Sequence, residues 1–132
     1  ILDGEYRVHL LPPLNIKETH NLMDRCYMVL TDSGGLQEEA PHLGKPVLVL
    51  RNVTERPEAV EAGTLKVIGT DSRRIFDEAS LLLNDKDEYG SMANAVNPFG
   101  DGRASQRIIK ALLYYFGKSD EKPCEFKPQS KK

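Results

Sequence analysis

The residues best suited to chemistry lie in TDSGGLQEEAP, Thr31 to Pro41. A short apolar run ends there in Asp32-Ser33-Gly34-Gly35, and two adjacent acids, Glu38 and Glu39, follow at once. Asp32 or Ser33 can cap a new helix. Gly34 and Gly35 let the backbone approach a ligand closely. The first N–H groups of a helix are unpaired and carry the positive end of its dipole, so the turn suits phosphate or diphosphate. The two glutamates point to different sides of that helix. One can reach back to accept hydrogen bonds from a ribose diol, as acids do in nucleotide-binding α/β folds, while the other faces solvent or supports a loop. Arg51 and Arg56 flank the end of the next strand and could contact phosphate or carboxylate. Each feature has a plainer use. A Ser-Gly-Gly turn also merely caps helices, paired glutamates also form solvated faces, and Arg56 also serves in surface ion pairs. From the residues alone, the reading stops at an α/β domain with a candidate anion site.

These residues need a scaffold, and the apolar pattern supplies one. Tyr6–Leu11 reads as a strand stopped by Pro12-Pro13. Ile16–Arg25 reads as a helix. Tyr27–Thr31 and Pro46–Leu50 are continuous apolar runs, the mark of strands covered on both faces. Between them Gly35–Leu43 reads as a helix that Pro41 ends or bends. Pro57 suits a first helical position, giving a short helix to Ala62 closed by Gly63, and Leu65–Ile68 is a further strand. Asp71 or Ser72 can cap a helix over Arg73–Asn84, and a shorter helix covers Glu88–Val96. Asn97–Gly102 is a turn-rich loop in which Asp101 reads as a turn residue. Ala104–Phe116 is the last helix, with Ile108, Ala111, Leu112, Tyr115 and Phe116 as its expected buried side. Strands alternating with helices predict an α/β, Rossmann-like parallel sheet flanked by helices over residues 1–117. Residues 118–132 form a polar, proline-bearing tail expected to be disordered.

Composition narrows the partners. The 132 residues carry 29% charged and 39% hydrophobic side chains and a net charge of −2, ordinary for one globular domain. No basic stripe favours nucleic acid, and the lysines among residues 127–132 belong to the tail. Val47–Leu50, like every other apolar run in the sequence, is far too short to cross a membrane. Cys26 and Cys124 are far apart and lack metal-ligand spacing, and His9, His20 and His42 show none either. The cysteines read as reduced thiols in a cytoplasmic protein, and no metal is expected. The chain begins with Ile1 rather than Met, which reads as a piece of something larger.

The run TDSGGLQEEAPHLGKPVLVLRNVTERPEAVEAGT, with VIGTD after it and NPFGDGRAS later, resembles the C-terminal half of the non-hydrolysing UDP-N-acetylglucosamine 2-epimerases. The resemblance covers about Val8 to Phe116. It implies one half of a GT-B fold, in which two Rossmann-like domains enclose the active site. It also implies the family's reaction: interconversion of UDP-N-acetylglucosamine and UDP-N-acetylmannosamine by elimination and re-addition of UDP through 2-acetamidoglucal, without metal or redox cofactor. By the same resemblance, Ser33, Gly34 and Gly35 match the diphosphate-binding turn, Glu39 the acid that holds the ribose hydroxyls, and Arg56 a further substrate-contacting arginine. Glu38 would then lie outside the site. The implied partners are UDP or UDP-N-acetylglucosamine and an N-terminal domain, in a homo-oligomeric parent. Two features depart from the family pattern. Thr19 stands where relatives often carry an aromatic for the uracil, and the family's acid and base residues lie mainly in the N-terminal domain, so no catalytic residue is expected here. A UDP-sugar-binding domain of a GT-B glycosyltransferase and a stand-alone nucleotide-binding module are the competing readings.

Overall fold

A computed structural model describes residues 2–128. Three short strands, β1 (Val29–Thr31), β2 (Val47–Val49) and β3 (Leu65–Val67), form a parallel sheet in the order β1-β2-β3. Leu48 sits opposite Leu30 on one side and Lys66 on the other. Helices connect and cover the strands: α1 (Ile16–Arg25), α2 (Gly34–His42), α3 (Pro57–Glu61), α4 (Ser72–Asn84), α5 (Lys86–Ala93) and α6 (Ala104–Tyr115). This is the expected α/β parallel architecture.

The middle strand explains the two-sided cover. Side chains alternate across a strand, so β2 feeds two cores. Val47 and Val49 pack with Met23 of α1, Ala40 of α2, Ala59 of α3 and Leu65. Leu48 faces the other way, onto Ile68, Leu82 of α4 and Met92 of α5. All three β2 residues are fully buried, as their continuous apolar run predicts. On the α4–α5 face, Tyr27 and Tyr89 stack with ring centroids 4.2 Å apart, and the Tyr27 hydroxyl donates to the Leu82 carbonyl at 3.1 Å.

Local chemistry sets the helix ends. Asn15 closes a capping box on α1: its side chain accepts from the Glu18 amide, and its own amide donates to the Glu18 carboxylate, both at 3.0 Å. Asp71, not Ser72, caps α4 by accepting from the Arg74 amide at 2.9 Å. Asp85 accepts from two amides at the start of α5, which begins two residues earlier than the pattern suggests.

Three sequence expectations fail. No strand forms over Tyr6–Leu11. Arg7 takes a left-handed φ of 68°, which no strand accommodates, and Tyr6, Leu10 and Leu11 are exposed. A strand needs an edge to pair with, and this segment joins none of the three strands present. The apolar face of α6 is the second. Its period is helical, yet Ile108, Leu112, Tyr115 and Phe116 are all more than half exposed, because no element among the described residues covers them. Cover on both faces of the Tyr27–Thr31 run is the third: β1 is an edge strand of the sheet, and Tyr27 and Leu30 are exposed.

Of the tail, residues 129–132 lie outside the described residues. Residues 118–128 hold no helix or strand and return to α6 through a Lys110–Glu121 ion pair at 2.7 Å and through Phe126, whose ring lies 5.4 Å from the Arg107 guanidinium.

Candidate functional site

Helix α2 starts where β1 ends, at the carboxyl edge of the sheet, the usual ligand edge of open α/β folds. Ser33 is its N-cap, with extended backbone, and Gly34 and Gly35 are its first two residues. The Ser33 side chain makes no capping hydrogen bond, so the first amides of α2 have no side-chain partner from the cap. The turn is fixed from behind instead. Thr31 Oγ1 accepts from the Ser33 amide at 3.0 Å, and the Gln37 side-chain amide donates to the Ser33 carbonyl at 3.2 Å.

Gln37 is fully buried, and it joins the turn to the loop after β2. Its Oε1 accepts from Thr54 Oγ1 at 2.5 Å, and that same hydroxyl accepts from the Arg56 amide at 3.1 Å. Glu38 adds a second tie, taking Arg56 Nε on Oε1 at 2.5 Å. Arg56 Nη1 also donates to the Glu55 carbonyl at 3.2 Å. With five N–H groups, the guanidinium keeps donors for an anion after these contacts. Glu38 thus supports a loop, one of the two uses its position allowed, and Gln37 is a linking residue that the sequence reading missed.

Glu55 bends over the start of α2. A Cβ added at Gly34 would lie 2.6 Å from Glu55 Oε1, so glycine there leaves room for a negative group against the helix end. Arg51 holds that carboxylate at 2.7 Å. A hydrogen bond from its own backbone amide, then the charges of Arg51 and Arg56, keep the Glu55 carboxyl below its ordinary range, with desolvation acting the other way.

Glu39 lies one turn along α2. Its Oε2 accepts from Nε2 of His20 on α1 at 3.1 Å, and its Oε1 lies 3.8 Å from where a Cβ on Gly35 would stand. A cavity of about 320 Å³ opens beside it, lined by His20, Glu38, Glu39, His42 and Phe99. His20 is the second residue the sequence reading passed over, since nothing in a lone histidine marks a partner 19 positions away. Thr19 turns its hydroxyl back onto the Asn15 carbonyl at 2.9 Å.

Ser33, Gly34, Gly35, Glu39 and Arg56 therefore come together around the start of α2, and Arg51 joins them through Glu55. Among the described residues, no three His, Cys, Asp or Glu side chains group to hold a metal ion, and no helix is long and apolar enough to cross a membrane.

Asp101 does more than turn the 97–102 loop. It takes Arg107 Nη1 and Nη2 at 2.7 Å each and the Arg103 amide at 3.0 Å. These bonds, that from Arg107 first, hold its carboxyl well below the usual carboxylate range. A depressed folded-state value means the clip contributes fully above the unfolded value of about 3.9 and is lost as pH falls through the lower folded value. The Asp101 carboxyl resonance is therefore expected to stay in its ionised position at about pH 4 and to move only in stronger acid. A titration centred near the ordinary value would contradict the clip.

A parallel α/β sheet with an open helix start, an acid and an arginine at its carboxyl edge belongs to the class of open α/β folds that place their ligands at that edge. Comparison with known proteins narrows the class. The family model described as UDP-N-acetylglucosamine 2-epimerase matches residues 1–113, and the chain belongs to that family. The UDP-N-acetylglucosamine 2-epimerase of Bacillus subtilis is 57% identical over 120 residues, which are 91% of this chain and 32% of that protein. That of Salmonella typhimurium is 60% identical over 115 residues, or 87% and 31%. An S. aureus structure solved with UDP superposes with a TM-score of 0.89 at 51% identity, covering 96% of this chain and 35% of that one. The Neisseria meningitidis enzyme bound to UDP-GlcNAc gives a TM-score of 0.76 at 48% identity, covering 80% and 29%. The chain thus spans about a third of the length of the curated relatives it matches.

Proposed function

We propose that this chain is the UDP-binding part of a UDP-N-acetylglucosamine 2-epimerase. The observation that carries the reading is the start of α2, where an uncapped helix end built on two glycines stands one turn from the Glu39 carboxylate. The amides of the turn would take the diphosphate, with the dipole of α2 behind them. Arg56, fixed by Glu38, would add charge-assisted hydrogen bonds to the same anion. Glu39 would accept from the ribose hydroxyls. Binding here requires Glu55 to leave the helix end, because two anions cannot share it.

The reaction we propose for the longer parent is the one that membership of the family implies. A base removes the proton at C2 of the sugar while the C1–O bond to UDP breaks, giving 2-acetamidoglucal and free UDP. UDP then adds back to C1 and a proton returns to C2 from the opposite face, giving UDP-N-acetylmannosamine. The negative charge that grows on the leaving diphosphate is what the α2 amides and Arg56 would stabilise. The C2 proton needs a positioned base. We assign that base to the part of the parent that this chain does not span, along with the second wall of the cleft. The parent is read as a homo-oligomer of the cytoplasm, a setting that the two free cysteines, Cys26 and Cys124, suit.

The 132-residue chain alone is therefore expected to leave UDP-N-acetylglucosamine unchanged, with no deuterium entering C2 in heavy water, while a protein of the relatives' full length exchanges and epimerises it. Nuclear magnetic resonance of the sugar reads both outcomes. Sugar transfer to an acceptor by the longer protein, without epimerisation, would overturn the assignment.

A further inference from the structure

We propose that His20 is a positioning residue for the ribose-binding acid: it grips one oxygen of Glu39 and so aims the other at the nucleotide. The proposal rests on the nucleotide reading above and deepens it. Glu39 is a half-exposed side chain with three rotatable bonds, and on its own it would spread over solvent-facing rotamers. His20 removes that freedom. Its Nε2 lies 3.1 Å from Oε2, and because a carboxylate only accepts, the imidazole is the donor whether it is neutral or charged. The remaining oxygen, Oε1, is the one that lies toward Gly35 and the anion-binding turn. A carboxylate held by one oxygen and open at the other is the state in which a diol can be met without first ordering the side chain.

The grip itself comes from a fixed element. Helix α1 is capped at Asn15, and Met23 anchors it in the core with Val47 and Val49. His20 precedes Met23 by three residues, so both lie on the face of α1 turned toward α2. Glu38, the other acid at this place, is taken by Arg56 and does not compete for His20. His9 is exposed and lies outside this cavity, which makes it the natural control.

The test is calorimetric titration of this chain with UDP and with 2′-deoxyuridine diphosphate, comparing wild type, His20→Ala, His20→Gln and His9→Ala. His20→Ala is expected to weaken UDP by about 3- to 10-fold, the worth of one hydrogen bond, and to leave the deoxy ligand nearly unchanged. His20→Gln, which restores a donor, is expected to recover most of the UDP affinity, and His9→Ala to change neither ligand. A merely structural role for His20 would weaken both ligands alike and would not be rescued by glutamine. Unchanged UDP affinity in His20→Ala, with Glu39→Ala still weakened, overturns the proposal and leaves the nucleotide reading standing. Failure of the wild-type chain to bind UDP overturns both.

Discussion

Leu48→Ala is expected to destabilise the chain by about 2–5 kcal/mol, the range for emptying a large buried side chain. Leu48 is the middle residue of the middle strand and is fully buried. Its side chain fills the space between Ile68, Leu82 and Met92, with Met28, Leu50, Ile75 and Ala79 packed around that cluster. Strands lie on both sides of it and helices cover its face, so the backbone has little room to collapse into the gap. Domains of this size are held by about 5–15 kcal/mol in all, which makes the expected loss a large fraction of the total. Urea unfolding followed by circular dichroism measures it. Phe76→Ala is the matching control: Phe76 is equally apolar but 64% exposed, and its loss is expected to cost under about 0.5 kcal/mol. Equal costs at the two positions would contradict the two-faced core.

The second large effect is on binding. Glu39→Ala is expected to weaken UDP by about 10- to 100-fold, from losing charge-assisted hydrogen bonds worth about 1.5–3 kcal/mol. The substitution removes the diol's acceptor and leaves the turn intact, because Ser33 is held by Thr31 and Gln37 rather than by Glu39. Inorganic pyrophosphate, which has no ribose, is therefore expected to bind the variant as it binds wild type. Parallel titrations with the two ligands separate the roles. Equal loss for both would mean that Glu39 shapes the turn, and no loss for either would remove it from the site.

Much of this was legible because local sequence carries local physics. The apolar runs marked the strands β1, β2 and β3, although only β2 is buried throughout and Leu30 of β1 is exposed, and the Ser33-Gly34 step marked the start of a helix on the ligand edge. Two errors share a cause. Tyr6–Leu11 has the composition of a strand and α6 has the period of a buried helix, but pattern reports which face is apolar and not whether anything covers it. The missed residues share another. Gln37 reads as an ordinary helix glutamine, yet its amide ties Ser33 to Thr54, which lies 17 positions beyond Gln37 itself. Glu38 meets Arg56 from 18 positions away, and His20 meets Glu39 from 19. Such pairs are products of the fold. No spacing rule within a single helix or strand reaches them.

The central claim is that the start of α2 holds a diphosphate, and the most direct measurement is calorimetric titration of this chain with UDP beside uridine. The two ligands share base and ribose and differ only in the group assigned to the turn. The account predicts UDP binding at least about tenfold tighter than uridine, and a gap that narrows as salt rises, since screening weakens the contribution of the helix dipole and the arginine. A folded chain that binds uridine as well as UDP, or binds neither, would contradict it.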